Sequence, residues 1–111
     1  MKNLIKSITM LTAAFVLAAC ASLPTFNDKV AAAISTVTSV RDTSTALLVA
    51  KKIDVADKEN IEKQANTARE GITLAVKMHA ADPVGGQTKL DTTIVVLRGL
   101  NEYLIKKQLE K

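Results

Sequence analysis

The sequence predicts an all-α protein, an antiparallel up-down-up bundle of three helices that follows a cleaved signal peptide. With 111 residues and three aromatic side chains, Phe15, Phe26 and Tyr103, a single small domain must build its core from aliphatic residues and alanine, which suits closely packed helices. Apolar residues recur at spacings of three and four in three segments of near-equal length joined by short loops, a pattern typical of antiparallel helical neighbours. These segments are about 26–51, 55–80 and 88–109.

The first 20 residues have the pattern of a secretory signal peptide. MKNLIKS contains Lys2 and Lys6 and no acidic residue, and ITMLTAAFVLAA is apolar apart from two threonines. The alternative is an uncleaved membrane anchor, but this run is several residues shorter than the roughly 20 apolar residues that span a bilayer. We therefore expect cleavage after residue 19. Loss of two of the 15 basic residues leaves 13 against 11 acidic residues, a balance that argues against nucleic acid as a partner.

Four residues close the apolar run: Leu17, Ala18, Ala19 and Cys20. In these residues the chain resembles bacterial lipoprotein precursors, whose lipobox has Leu three residues before an obligatory Cys and small residues between. The resemblance implies diacylglycerol on the Cys20 sulfur, cleavage before Cys20 and acylation of its new amino group, with no other cofactor. Ala21 stands where the family's inner-membrane retention signal has aspartate, which favours the outer membrane, with the domain facing the periplasm. Residues 20–25 are then a lipidated cysteine and a short tether.

The first helix is expected to begin at Thr25, which with Asp28 resembles a capping box. Seven of the eleven residues from Ser35 to Thr45 are Ser or Thr, a composition that would also allow a strand. The apolar spacing favours a helix with the hydroxyl groups on its solvated face. Its apolar stripe contains Phe26, Val30, Ala33, Val37, Val40 and Leu47.

The second helix is expected to start at Asp54, with Asp57 at its third position. Gly71 lies inside this helix, where glycine costs up to about 1 kcal/mol relative to alanine, and close packing would explain it. The apolar stripe contains Ile61, Ala65, Ala68, Ile72, Ala75 and His79.

The third helix has two possible starts. Thr88 and Asp91 form one capping pair, after a turn in ADPVGGQ; alternatively, Asp82 caps a helix with Pro83 at its first position and two glycines inside it. Asn101 interrupts the apolar stripe and either points inward, where it would fix helix register, or is exposed by a slight rotation. The stripe contains Leu90, Ile94, Leu97 and Leu104.

This third segment is apolar on nearly every side, more than a three-helix bundle can bury. Four residues, Val95, Leu100, Tyr103 and Ile105, are the candidate face for a protein partner or a second copy. The alternative is that Val95 and Ile105 are isolated exposed apolar residues.

The far end of the bundle is expected to be weakly basic. A tether of five residues reaches about 17 Å at most, so the start of the first helix lies near the membrane and the loop at 51–54 and the C-terminus lie away from it. Lys51, Lys52, Lys106 and Lys107 gather there. Cations at helix C-termini are favoured by the helix dipole in any case; the more specific interpretation is contact with an acidic polymer or protein.

The sequence contains no pattern that predicts catalysis. His79 is the only histidine and Cys20 the only cysteine, so a Ser–His arrangement or a histidine-rich metal site has no second member. Glycine-rich phosphate loops, HExxH and GxSxG are missing. Carboxylates lie close to lysines, as in DKENIEK, which indicates surface salt bridges. We expect neither an enzyme, nor a metal site, nor a small-molecule substrate.

The mature part also resembles small alanine-rich lipoproteins of bacterial genomes and prophages, in NIEKQANTAREGITLA and in ADP before the last helix. The expected function is a binding or structural module of the cell envelope, anchored by its lipid. The alternative is a phage-derived effector, such as a superinfection-exclusion lipoprotein that blocks a receptor, and a more distant one is a lipid-handling bundle.

Overall fold

The computed structural model describes residues 25–110, which form three helices and, within that range, no strand. They are α1 Phe26–Val49, α2 Val55–Ala81 and α3 Pro83–Leu109. Each helix packs against the other two, so the predicted all-α class is confirmed and the packing fits a bundle. The predicted signal peptide 1–19, with Leu17, Ala18 and Ala19 of the lipobox, and the lipidation residue Cys20 lie outside the described residues.

The two ends of α1 are set by local hydrogen bonds. At the start, the backbone N–H of Asp28 donates to Thr25 Oγ1 at 3.0 Å, as the sequence predicts. At the end, the N–H groups of Lys51 and Lys52 donate to the carbonyls of Leu48 and Leu47 at 3.0 and 2.9 Å. This is the Schellman pattern, and Lys51 takes the left-handed position, φ 62°, where glycine is usual. Therefore α1 ends at Val49, two residues before its predicted end.

The start of α3 corrects the sequence prediction. The pair Thr88 and Asp91 does not cap a helix, because the hydroxyl of Thr88 donates to the carbonyl of Val84 at 3.0 Å inside α3. The alternative start is confirmed: Asp82 accepts from the N–H of Gly85 at 3.0 Å, and Pro83 is the first helical residue. A good cap and a proline with preset φ offset the cost of the two glycines that follow.

The core is aliphatic and rich in alanine, as the sequence predicts. Its buried apolar residues come from all three helices and from Ile53 in the loop between α1 and α2. Asn101, whose position the sequence left open, is 3% exposed and faces inward. The core contains Ala33, Val37, Val40, Leu47, Ile53, Ile61, Ala65, Ala68, Ile72, Ala75, Leu90, Ile94, Leu97, Leu100 and Leu104.

The hydroxyl groups of α1 do not all face solvent, contrary to expectation. Thr36, Thr43 and Ser44 are buried. Two of their hydroxyls donate to carbonyls of the preceding turn, Thr36 to Ala32 at 2.9 Å and Ser44 to Arg41 at 2.8 Å. Because these bonds compensate desolvation, small polar side chains can occupy a helix interface.

Two glycines let α2 and α3 approach closely. A Cβ on Gly71 would lie 2.6 Å from Thr93 Oγ1, and a Cβ on Gly86 would lie 2.6 Å from both N and Cα of His79. At Gly71 the Thr93 side chain could rotate away from an added methyl group. At Gly86 the neighbouring atoms are backbone and could move only if the helices separated. Close packing therefore explains Gly71, as the sequence suggested.

The contact at Gly71 gives a first prediction. Gly71→Ala should lower the free energy of unfolding by about 1–2 kcal/mol, because the new methyl displaces a Thr93 hydroxyl that donates to Lys89 O at 2.9 Å. In a Thr93→Ala background the same change should be neutral or stabilising by up to about 1 kcal/mol, the helix-propensity gain. Urea unfolding of the four proteins of this double-mutant cycle measures the coupling. Equal effects in the two backgrounds would show that Thr93 does not limit the space at Gly71.

Candidate functional site

The fold divides the predicted partner face. Leu100 is 4% exposed and belongs to the core, because it lies three residues after Leu97 on the inward side of α3. Val95 is 63% exposed and Tyr103 36% exposed, whereas Ile105 is partly buried against the core. The four residues thus differ in exposure and Leu100 offers little surface to a partner, while the partner face itself stays a prediction.

Tyr103 instead borders a groove between α2 and α3 with a volume of about 400 Å³. Buried Ile61 and Leu100 lie beneath it, and Val96, 42% exposed, lies on the same side as Tyr103. A Cβ built on Gly99 meets no atom within 4 Å, so glycine leaves the groove open at this point. The α2 wall is polar and consists of Asp57, Asn60 and Gln64.

Sequence analysis missed Val96 and Gly99. With Tyr103 they form a second spacing of three and four along α3, parallel to the core stripe. That spacing could have indicated the groove. However, VV and LRGL contain residues of both the core stripe and the groove stripe, and only the rotation of α3 about its axis shows which residues face the core. The groove therefore contains part of the apolar surface of α3 that the core leaves exposed.

Two of the four lysines of the predicted basic end have partners within the protein. The ammonium group of Lys52 donates to the backbone carbonyl of Gln108 at 2.9 Å and also to that of Glu110. Lys107 pairs with the Glu110 carboxylate at 3.4 Å and lies 5.7 Å from the centre of the Tyr103 ring. The Glu110 carboxylate, with a smaller contribution from Tyr103, raises the pKa of Lys107, which stays protonated at neutral pH.

The other two lysines, Lys51 and Lys106, are exposed. Thus Lys52 and Lys107 bind groups within the protein. Two of the four predicted lysines, Lys51 and Lys106, remain as exposed cations that could meet an acidic partner.

An aromatic contact joins the first residue of α1 to the last turn of α2. The rings of Phe26 and His79 are stacked, with centroids 3.9 Å apart and planes 9° from parallel. His79 lies on the inward stripe, as predicted, and is half-buried. Lys29 pairs with Asp91 at 3.8 Å nearby. The histidine therefore packs between helix ends.

The carboxylates of Glu62, Asp91 and Glu110 take part in ion pairs with nearby cations. Glu62 lies 3.0 Å from Lys58 and 3.5 Å from Arg41 Nε, and the other guanidinium side of Arg41 donates to Asn66. This confirms the salt-bridge interpretation at DKENIEK for the Lys58–Glu62 pair. Pairs of this kind, whose side chains here are 24–33% exposed, contribute about 0–1 kcal/mol each.

Three further findings concern metal ions, bilayer crossing and similarity to known proteins. Among residues 25–110, no group of three or more His, Cys, Asp or Glu side chains is placed to hold a metal ion. None of α1, α2 and α3 combines the length and the apolar character that crossing a bilayer requires. No protein-family model, no curated protein and no solved structure matches the chain.

Proposed function

We propose that this protein is a lipid-anchored module of a bacterial cell envelope, attached to the membrane through Cys20 and binding a protein partner with its helical domain. The observation that carries the proposal is LAAC at the end of a short apolar run, directly before a domain that begins at Thr25. Intact-mass spectrometry of the protein extracted from membranes tests it. The proposal expects a chain that begins at a triacylated Cys20, and an unmodified chain that retains residues 1–19 would contradict it.

The proposal includes the antiparallel up-down-up arrangement. Three contacts support it. Phe26 at the start of α1 meets His79 near the end of α2, and His79 also faces Gly86 near the start of α3. Lys29 and Asp91, both early in their helices, form an ion pair at 3.8 Å. In this arrangement the corner between α2 and α3 lies at the end of the bundle where the tether enters.

The partner surface that we propose is the groove between α2 and α3. It combines an exposed aromatic ring, an exposed valine and an open glycine position with three polar side chains on the opposite wall. Aromatic residues in partly desolvated pockets are frequent energetic centres of protein interfaces. An outer-membrane anchor, favoured by Ala21, would present this groove to proteins of the periplasm.

Crosslinking in cells provides the test of the groove. A photoreactive amino acid at position 96 is expected to capture one discrete protein, or a second copy of the chain. Tyr103→Lys should reduce this product at least about tenfold, since loss of an aromatic centre costs 2 kcal/mol or more. Val76→Lys, at an α2 position that is 46% exposed, serves as the control and should leave the product unchanged. Equal yields in all three proteins would show that the groove is not the partner surface.

The second candidate is a phage-derived envelope effector, since NIEKQANTAREGITLA resembles small alanine-rich lipoproteins of prophages as well as of bacterial genomes. It uses the same anchor, with a phage receptor as the partner in the groove. Expression of the protein in a sensitive host would then block adsorption or entry of related phages, and Tyr103→Lys would restore infection. Undiminished infection of cells that carry the lipidated protein would exclude this candidate.

A further inference from the structure

The corner where α2 meets α3 carries a continuous set of exposed apolar side chains around one acidic residue. Ala80, Ala81, Pro83 and Val84 are all exposed, and Val84 is 78% exposed. Asp82 is the polar residue among them, and its carboxylate already accepts a hydrogen bond from the N–H of Gly85 at 3.0 Å. The corner therefore presents a short apolar ridge to its surroundings.

This corner lies at the end of the domain where the chain from Cys20 enters. The Phe26 ring, directly after Thr25, stacks on His79 at 3.9 Å. His79 is three residues before Asp82, and its backbone faces Gly86. The entry of the chain and the corner are thus joined by direct contacts.

The length of chain between the anchor and the domain limits where the bilayer can be. Residues 21–25 extend to about 17 Å at most, whereas α1, with 24 residues, is about 36 Å long. A membrane that holds Cys20 is therefore within reach of the corner. The loop at 50–54 is more than a tether length further away along α1.

We propose that the corner formed by Ala80, Ala81, Pro83 and Val84 rests in the interfacial layer of the bilayer that holds Cys20. The inference rests on the proposed lipid anchor and adds a second, non-covalent contact to it. Burial of apolar side chains in the interface is favourable, and nearby cationic side chains add an attraction to anionic lipids. Lys77 on α2 and Lys89 on α3 flank the corner within two helical turns, which suits anionic headgroups. The contact would hold the bundle upright, with its opposite end away from the lipid.

The molecule offers a matched pair of positions for the test. The sequence has no tryptophan, so a single introduced indole reports on one site. Val84 at the corner and Val49 at the end of α1 have the same side chain and the same exposed fraction, 78%. Neither belongs to the core, and circular dichroism of Val84→Trp and Val49→Trp should match that of the parent protein.

Full-length, lipid-processed Val84→Trp and Val49→Trp proteins are reconstituted separately into vesicles of phosphatidylethanolamine and phosphatidylglycerol. Acyl chains brominated near their carbonyl ends quench an indole that enters the interface. For Val84→Trp the emission should move to shorter wavelength and fall at least about twofold on bromination, as burial of 5–10 Å into the interface requires. For Val49→Trp both the wavelength and the intensity should stay unchanged.

Flotation of the same samples separates the two proposals. Vesicles that carry both proteins, with an unquenched indole at position 84, would overturn the membrane contact and leave the anchor intact. Quenching at position 49, alone or together with position 84, would overturn the upright contact, because the bundle would then be inverted or lie flat. Protein that fails to float with the vesicles would overturn the anchor, and the contact with it.

Discussion

A secreted form that carries Cys20→Ser, with an ordinary cleavable signal peptide in place of residues 1–19, is expected to leave the membrane fraction entirely. Each buried CH₂ contributes about 0.8 kcal/mol, so three acyl chains contribute on the order of 30 kcal/mol to attachment. A lysine near an anionic surface adds only about 1 kcal/mol. The corner at Val84 adds a contact that orients the domain but is too small to retain it. Cell fractionation followed by immunoblotting measures the change.

The matched control is the parent protein with its own residues 1–20. It should remain with the membranes through a high-salt wash, since salt screens charges and leaves acyl chains inserted, and detergent should release it. If the secreted Cys20→Ser form still sediments with membranes, residues 25–110 attach to them directly, and the lipid is not the main anchor.

Gly86→Ala is expected to lower the free energy of unfolding by about 3 kcal/mol. Its Cβ would lie 2.6 Å from both N and Cα of His79, and backbone atoms cannot rotate away as a side chain can. The helices must separate at this point, which disturbs the Phe26–His79 stack as well as the contact itself. Such a loss is a large fraction of the 5–15 kcal/mol that stabilises a typical domain. Urea unfolding of the secreted Cys20→Ser form, followed by far-ultraviolet circular dichroism, provides the measurement.

Gly99→Ala is the control on the same helix. A Cβ there meets no atom within 4 Å, so the substitution changes helix propensity alone and should stabilise the protein by up to about 1 kcal/mol. The two changes are chemically identical and opposite in expected sign. Equal effects at positions 86 and 99 would mean that the backbone of His79 does not limit the space at Gly86.

The sequence predicted the helices well where a single stripe and an acidic cap coincide. In α2, Asp54 and Asp57 form both halves of a capping box, with donor–acceptor distances of 2.8 and 3.3 Å, and the predicted span differs from Val55–Ala81 by one residue. In α3 two capping signals competed. The Thr88 start was wrong. Helix propensity treats Gly85 and Gly86 as destabilising, but it contains no information on tertiary packing, in which Gly86 allows α2 and α3 to approach closely.

The candidate surfaces were harder to predict, since they depend on helix rotation and on tertiary hydrogen bonds. Leu100 and Val96 are both apolar residues in one dense run, and only packing places the first in the core. Lys52 reads as one cation of a basic end, yet its ammonium group reaches carbonyls near the end of the described chain. The proposed lipid anchor is predicted from the lipobox, Leu17 to Cys20, which lies outside the described residues.

The bond from Lys52 to the last turn of α3 has a consequence for local opening of the domain. Terminal helix turns usually exchange their amide hydrogens quickly, because the last carbonyls lack partners and the turn frays. Here the carbonyl of Gln108 is held by a side chain 56 residues earlier, at 2.9 Å. Fraying of α3 must therefore release the loop after α1 as well. The amide hydrogens of the loop after α1 and of the last turn of α3 would therefore exchange together, as one cooperative unit, and more slowly than in either segment alone.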